Sequence, residues 1–218
     1  MHNTKSLVRI ILAFFILVLC VSCGVSSSST ASSPTSNHSP AADDPTQNYF
    51  SFQTDAAANY AAYGSSGYMG VAIYYKIYTN ASNIITHYNT INAESTGSGG
   101  KSKLESYGYQ WLNGSQYVIP SSDKNQNVEI RLFDETAYTK GIKVDGNSIA
   151  EPVRYISNKT FQFSSTEYPK TGDADLNGSE TSTGPWYVAA YAVSVLYTTS
   201  MTFDYSKPKY LGYIKIYY

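Results

Sequence analysis

Over residues 70–78, Gly-Val-Ala-Ile-Tyr-Tyr-Lys-Ile-Tyr, the odd positions Val71, Ile73, Tyr75 and Ile77 are large and apolar or aromatic. The even positions Ala72, Tyr74, Lys76 and Tyr78 are small, amphipathic or charged. That period of two predicts a strand with one face in a core and the other near water. Ile and Tyr also suit a pleated, half-buried surface better than a helix. Residues 187–197 have matching character, so the two stretches are expected to pair or face each other at the centre of a β-fold.

The flanking patterns fill in the rest. Residues 49–53 alternate, with Phe50 and Phe52 inward, and read as a first strand. Residues 55–63 are Ala-rich and predict a short helix closed by Gly64-Ser65-Ser66-Gly67. Ile84, Ile85, Tyr88 and Ile91 recur at helical spacing, with Ser82 or Asn83 as N-cap, which predicts a helix over residues 83–93 lying against an edge or end of the sheets. The Gly-Ser cluster at residues 96–100 reads as a loop. Further short strands are expected at residues 107–112, 116–119, 128–133, 153–156, 161–163, 200–204 and 211–217. In the third of these Val128, Ile130 and Leu132 share one face, with Glu129 and Arg131 on the other. Asp145-Gly146-Asn147 and Asn177-Gly178 are turn signatures, because Gly and Asn accept positive φ. Lys207-Pro208-Lys209 would shield the edge of the last strand from pairing with another chain. The expected architecture is an all-β antiparallel sandwich over residues 48–218, with one short inserted helix.

Composition narrows the function classes. The 218 residues carry 15 Lys and Arg against 16 Asp and Glu, with no basic block or stripe, so nucleic acid is not an expected partner. Tyrosine is the unusual figure: 22, against 8 phenylalanines. Its apolar body and polar tip suit half-exposed strands and also binding surfaces. Cys20 and Cys23 are the only cysteines, so the folded part contains neither a disulfide framework nor a thiol nucleophile.

The N-terminus reads as an address. Lys5 and Arg9 precede an apolar run at residues 10–21, followed by Ser22-Cys23-Gly24. A basic start, a short apolar core and a small-residue exit describe a secretory signal peptide over residues 1–22. The run is shorter than the ~20 residues that cross a bilayer. Its end resembles a bacterial lipobox, with Ser22 at −1 and Gly24 at +2 of Cys23, and with Cys20 at −3 where Leu is usual. The resemblance implies diacylglycerol attachment at Cys23, which becomes the mature N-terminus anchored in a membrane. Two or more acyl chains make such anchoring stable. Gly24 is no inner-membrane retention signal, so the expected address is the cell envelope, with the outer membrane favoured. Residues 23–47 are Ser, Thr, Pro, Ala and Asn, with Asp43 and Asp44 the only charges, and predict a disordered tether.

Residues 70–78 also look like strand C of an immunoglobulin-like or fibronectin type III sandwich. Pro-Trp-Tyr-Val-Ala-Ala-Tyr-Ala-Val, residues 185–193, looks like strand F, with Tyr187 at the tyrosine-corner position, and residues 211–216 look like strand G. The chain departs from that family in carrying a helix after the C-like strand and no Cys or Trp core signature. The layout further resembles spirochaetal surface lipoproteins, in which a Tyr-Tyr-Lys/Arg-Ile-Tyr strand precedes a short helix. That likeness implies an envelope location and no particular reaction.

Candidate chemistry is sparse. Asp173, Asp175 and Asn177, followed by Gly178, look like the opening of a calcium loop, with oxygen ligands at alternate positions. The position that should supply the bidentate Glu is Gly184, so the stretch reads instead as a polar hairpin loop with an Asn-Gly turn, and no metal or cofactor is assigned. His87, the one histidine of the expected domain, has no nucleophile beside it; His38 lies in the expected tether. The motifs Gly-x-Ser-x-Gly and His-Glu-x-x-His and the phosphate loop do not occur. Glu129 and Glu151 are single acidic residues expected to face solvent, and a glycosidase would need two carboxyl groups facing each other across a cleft. Trp111 and Trp186 are the candidates for stacking on sugars, as in carbohydrate-binding modules. The sequence therefore points to a lipid-anchored module that binds an unidentified protein or glycan, with no catalytic residues assigned. A carbohydrate-binding module is the first alternative and a glycosidase the second.

Overall fold

The computed structural model describes residues 30–135, 137–180 and 183–217. In chain order its strands are β1 (Phe50–Gln53), β2 (Tyr68–Tyr78), β3 (Gln110–Trp111), β4 (Ile119–Pro120), β5 (Asn127–Arg131), β6 (Gly141–Val144), β7 (Asn147–Ala150), β8 (Val153–Ile156), β9 (Lys159–Gln162), β10 (Leu176–Asn177), β11 (Trp186–Tyr197), β12 (Phe203–Tyr205) and β13 (Lys209–Ile216). Its helices are α1 (Ala56–Gly67), α2 (Ser82–Asn92) and α3 (Gly97–Ser106). The fold is all-β in its sheets, which are almost wholly antiparallel, with three helices among the described residues: α1 at the Ala-rich stretch, α2 as the one inserted helix expected, and α3 where a loop was expected.

The two stretches singled out by their alternation are the spine. β2 and β11 pair antiparallel along their whole length, from Tyr68 opposite Leu196 at one end to Tyr78 opposite Tyr187 at the other. The far edge of β11 carries β13 and then β12. The far edge of β2 carries β4, β3 and a parallel two-residue pairing with β10. A second sheet has the order β1–β5–β6–β7, and β8 and β9 form a separate ribbon.

The two sheets pack face to face over the main core. From the spine come Val71, Ile73, Tyr75 and Ile77 of β2, with Trp186, Val188, Ala190 and Ala192 of β11. From the second sheet come Phe50, Phe52, Val128, Ile130 and Ile142. Both faces of β2 are buried, however: every residue but Met69 is sequestered. The even positions expected near water lie under α2 and α3, where Tyr74, Tyr78 and Tyr191 meet Ile84, Ile91 and Leu104. The helices thus form a third layer on the open face of the spine sheet, not a plug at its edge or end. A Tyr-rich strand face is amphipathic enough to read as half-exposed, and that ambiguity hides the layer above it.

The stretch expected as a tether also differs. Its described part, residues 30–47, lies along the domain as a strap over the gap between β1 and β13. Thr35 exchanges both backbone hydrogen bonds with Gln53 (2.9 and 2.8 Å). Ser36 Oγ donates to the Ser51 carbonyl, and His38 stacks on Tyr49 at 4.1 Å. Asp43 reaches Lys215 at 2.8 Å, and Arg131 donates to the carbonyls of Pro45 and Thr46. Polar composition foretold too little buried apolar surface to order the segment; backbone pairing to an open strand edge supplies the order instead.

Candidate functional site

Asp173 and Asp175 are brought together, but around a guanidinium. Arg154 sits fully buried on β8 and forks onto Asp175, with Nε 2.9 Å from Oδ2 and Nη2 2.8 Å from Oδ1. The same Nη2 donates to Asp173 Oδ2 at 2.6 Å, and Nη1 donates to the Glu167 carbonyl at 3.0 Å. The Tyr75 hydroxyl donates to Asp175 Oδ2 at 2.8 Å and accepts from the Tyr155 amide at 3.1 Å. Burial works against the charge on Arg154, but the hydrogen bonds and charge of Asp175, with Asp173 added, outweigh it and hold the guanidinium's pKa above its ordinary value. Burial, then the charge of Asp175, pushes the Tyr75 phenol well up. Asn177 points elsewhere, its Oδ1 accepting from Asn83 at 2.8 Å. The stretch is therefore neither a calcium loop nor a hairpin: residues 176–177 form the parallel edge strand β10, and the carboxylates before them clamp the β8–β9 ribbon to the spine. Among the described residues no three His, Cys, Asp or Glu side chains gather as a metal site.

Arg154 escaped sequence reading. Its one signal is alternation, since it shares a strand face with the buried Ile156, while Val153 and Tyr155 are half-buried.

A second polar group lies under the helices. His87 Nδ1 is 2.7 Å from the Tyr78 hydroxyl, which is 2.9 Å from that of Tyr109. The imidazole stacks flat on Tyr107 at 4.0 Å. Burial, and then the charge of Lys76, lowers the His87 pKa below its ordinary value, so the ring is neutral at pH 7. Lys76 itself is buried, its Nζ 3.4 and 3.3 Å from the carbonyls of Gly108 and Ala174, and burial lowers its pKa. His87, Tyr78 and Tyr109 thus form a chain of polar contacts between sheet and helices, while Lys76 is held by backbone carbonyls.

The open clefts lie elsewhere. One, of about 320 Å³, is lined by Trp111, Tyr155, Glu105, Gln110 and Asn158, with Tyr74 and Tyr109 in its wall. Trp111 is half-buried and meets Tyr74 edge-on, with ring centres 6.3 Å apart. Trp186, in contrast, is 2% exposed in the main core and stacks on Tyr168, so it cannot face a ligand. A larger cleft, of about 590 Å³, opens between the strap and Phe133, Ala137 and Tyr138 and is lined by Asp43, Asp134, Glu135, Lys215 and Tyr217. Beside it the Arg131 guanidinium lies between the rings of Tyr49 and Tyr138, at 4.3 and 4.2 Å. The two carboxylates weighed for hydrolysis do not meet: Glu129 pairs with Arg131 at 3.2 Å, and Glu151 with Lys140 at 3.2 Å. Cys23 lies outside the described residues. No helix among those residues is long and apolar enough to cross a membrane.

No family model, no curated protein and no solved structure matches the chain.

Proposed function

We propose that this protein is a lipid-anchored component of a bacterial cell envelope whose β-sandwich acts by binding rather than by catalysis. One observation carries the reading: the buried ionisable groups Arg154, Asp175, Lys76 and His87 are bonded within the fold, while the clefts that reach solvent are lined by aromatic rings and uncharged or paired polar groups. Arg154, Asp175, His87 and Lys76 serve the packing of layers. Binding modules carry recognition on such a rigid scaffold. The anchor is the diacylglyceryl group on Cys23, with the outer membrane as its address, a reading supported by the lipobox-like Ser22-Cys23-Gly24 after the apolar run. An immunoglobulin-like relationship is supported by the ladder β2–β11–β13, which has the order of strands C, F and G. The second sheet departs from that pattern, because its strands follow one another outward from β1 in chain order.

A carbohydrate ligand is the second reading, favoured by the cleft of Trp111 and Tyr155 beside Glu105, Gln110 and Asn158. An aromatic wall with convergent amide and carboxylate groups is the chemistry that receives a sugar ring. The test is a glycan array probed with the wild-type protein and with Trp111→Ala. Binding that the substitution abolishes supports the glycan reading; an array without signal leaves a protein as the partner class. Mass spectrometry of the mature N-terminus tests the anchor, and an unmodified Cys23 overturns it.

A further inference from the structure

We propose that the turn at residues 198–202, with Tyr197, Met201 and Phe203 around it, is a second membrane contact that dips into the lipid interface beside the anchor. The inference rests on the reading of Cys23 as lipid-bearing.

The strap gives the direction. It starts from Asn48, bonded to both backbone groups of Lys215 near the Tyr187 end of the spine. Going towards the N-terminus it passes Pro40 against Gly212 and Thr35 against Gln53. It reaches Ser32 bonded to Asn59, and Ala31 packed with Ala56, Tyr68 and Leu196. The chain therefore leaves the domain at the Leu196 end. Cys23 stands eight residues before Ala31, a span of at most about 27 Å when fully extended. A lipid on Cys23 keeps that end of the domain next to the bilayer.

The same end presents the most exposed large apolar side chain among the described residues. Beyond the Leu196–Asp204 and Tyr197–Phe203 pairs the β11–β12 hairpin runs on past the level of Ala31. Met201 is 80% exposed at its tip, with Phe203 and Tyr197 at 40% and 39% as an edge-to-face pair. Residues 186–203 contain no charge. The turn pairs part of its own backbone: the Thr198 amide donates to the Thr202 carbonyl at 2.9 Å, and the Met201 amide to the Thr198 carbonyl at 3.0 Å. Lipid offers peptide groups no partners, so the contact is at headgroup depth, where water serves the rest of the turn and only the side chains reach the apolar boundary. Tyr beside apolar residues is the composition of the headgroup boundary. The tip carries no basic cluster, so the partner is a lipid surface of any headgroup charge, joined by its apolar boundary.

The test uses the full chain, processed and purified with its anchor and reconstituted in neutral phosphatidylcholine vesicles. Met201→Cys and, as a matched exposed apolar control at the opposite end, Ile85→Cys are labelled with an environment-sensitive fluorophore. The expected result is blue-shifted emission at 201, quenched severalfold more by nitroxide-bearing lipids than emission at 85. A lipidated Cys23 with equal quenching at both positions overturns the second contact and leaves the anchor standing. Where mass spectrometry finds Cys23 unmodified, the anchor fails separately. The labelled variants in a Cys20→Ser/Cys23→Ser background, added to vesicles from solution, then decide the tip: a lipid-dependent blue shift at 201 upholds it and none overturns it. A shift at 201 that grows with protein concentration without vesicles reports a second copy over the tip and overturns the membrane assignment.

Discussion

Arg154 and Asp175 face each other as a two-point fork in which neither side chain reaches water, and the Tyr75 hydroxyl completes the carboxylate's coordination from the spine. A ribbon of only two short strands has too little apolar area of its own to hold its place. The fork fixes it to β2.

Breaking one side of the fork should therefore be far more harmful than its single ion pair suggests. Arg154→Met leaves Asp175 buried and unpaired, with an expected loss of about 3–5 kcal/mol of unfolding free energy. Asp175→Leu leaves the buried guanidinium with Asp173 and the Glu167 carbonyl and should cost less than Arg154→Met. The Arg154→Met/Asp175→Leu pair removes both charges and should recover part of the sum of the single losses. Tyr75→Phe, which orphans the Tyr155 amide and leaves Asp175 Oδ2 with Arg154 Nε alone, should cost about 1–3 kcal/mol. Urea midpoints at constant slope read all four.

The two tryptophans should separate cleanly. Trp186→Ala empties a site in the main core and should cost about 3–5 kcal/mol. Trp111→Ala, at the edge of an open cleft, should cost about 1 kcal/mol. Thermal unfolding of both variants checks this. A Trp186 variant as stable as the wild type would contradict the packing described for β11.

What the sequence revealed divides along physical lines. Alternation over residues 70–78 and 187–197 exposed the spine, because strand period survives any identity of the covering layer. The helical spacing of Ile84, Tyr88 and Ile91 likewise located α2. The Asp145-Gly146-Asn147 signature is indeed the turn of the β6–β7 hairpin, although neither strand was expected on its own. The helix α3 was hidden by Gly97, Gly99 and Gly100, which read as a loop. Two of these are glycines of close approach: a side-chain carbon at 97 would run into the Tyr205 carbonyl, and one at 100 into the Pro208 ring. Thr96 caps the helix by accepting from the Gly99 amide at 3.1 Å, and Lys101 pairs with Glu105 one turn on. Pro208, just before β13, also meets α3 at Gly100. Of the site, the aromatic character of Trp111 was legible; its cleft was not, since Tyr155 and Asn158 arrive from a distant hairpin.

Gly212 should control the strap. Its φ is +95°, and a side-chain carbon there would sit 2.6 Å from Pro40 Cδ. Gly212→Ala therefore combines backbone strain, at about 1–3 kcal/mol, with a clash that lifts residues 30–47 from β13. Hydrogen exchange should quicken at Thr35 and Gln53, whose amides bond across the strap, while the β2–β11 ladder keeps its protection. Loss of protection throughout the ladder would show that the strap is part of one cooperative unit.

His87 should make the domain sensitive to mild acid. Burial and the charge of Lys76 lower its pKa in the folded state, whereas the unfolded chain restores a value near 6.5. Between those two values the unfolded state binds more protons, so stability rises with pH there. The neutral ring's contribution is complete above pH 6.5 and is lost as pH falls through the folded pKa. Protonation also sets an imidazolium against Lys76 and changes what Nδ1 offers the Tyr78 hydroxyl at 2.7 Å. Denaturant midpoints measured from pH 8 to pH 4 should fall more for the wild type than for His87→Asn, whose side-chain amide can bond the Tyr78 hydroxyl without titrating. Lys76→Met removes the neighbouring charge and should raise the His87 pKa towards its ordinary value in an NMR titration. No upward movement in that variant would assign the whole depression to burial.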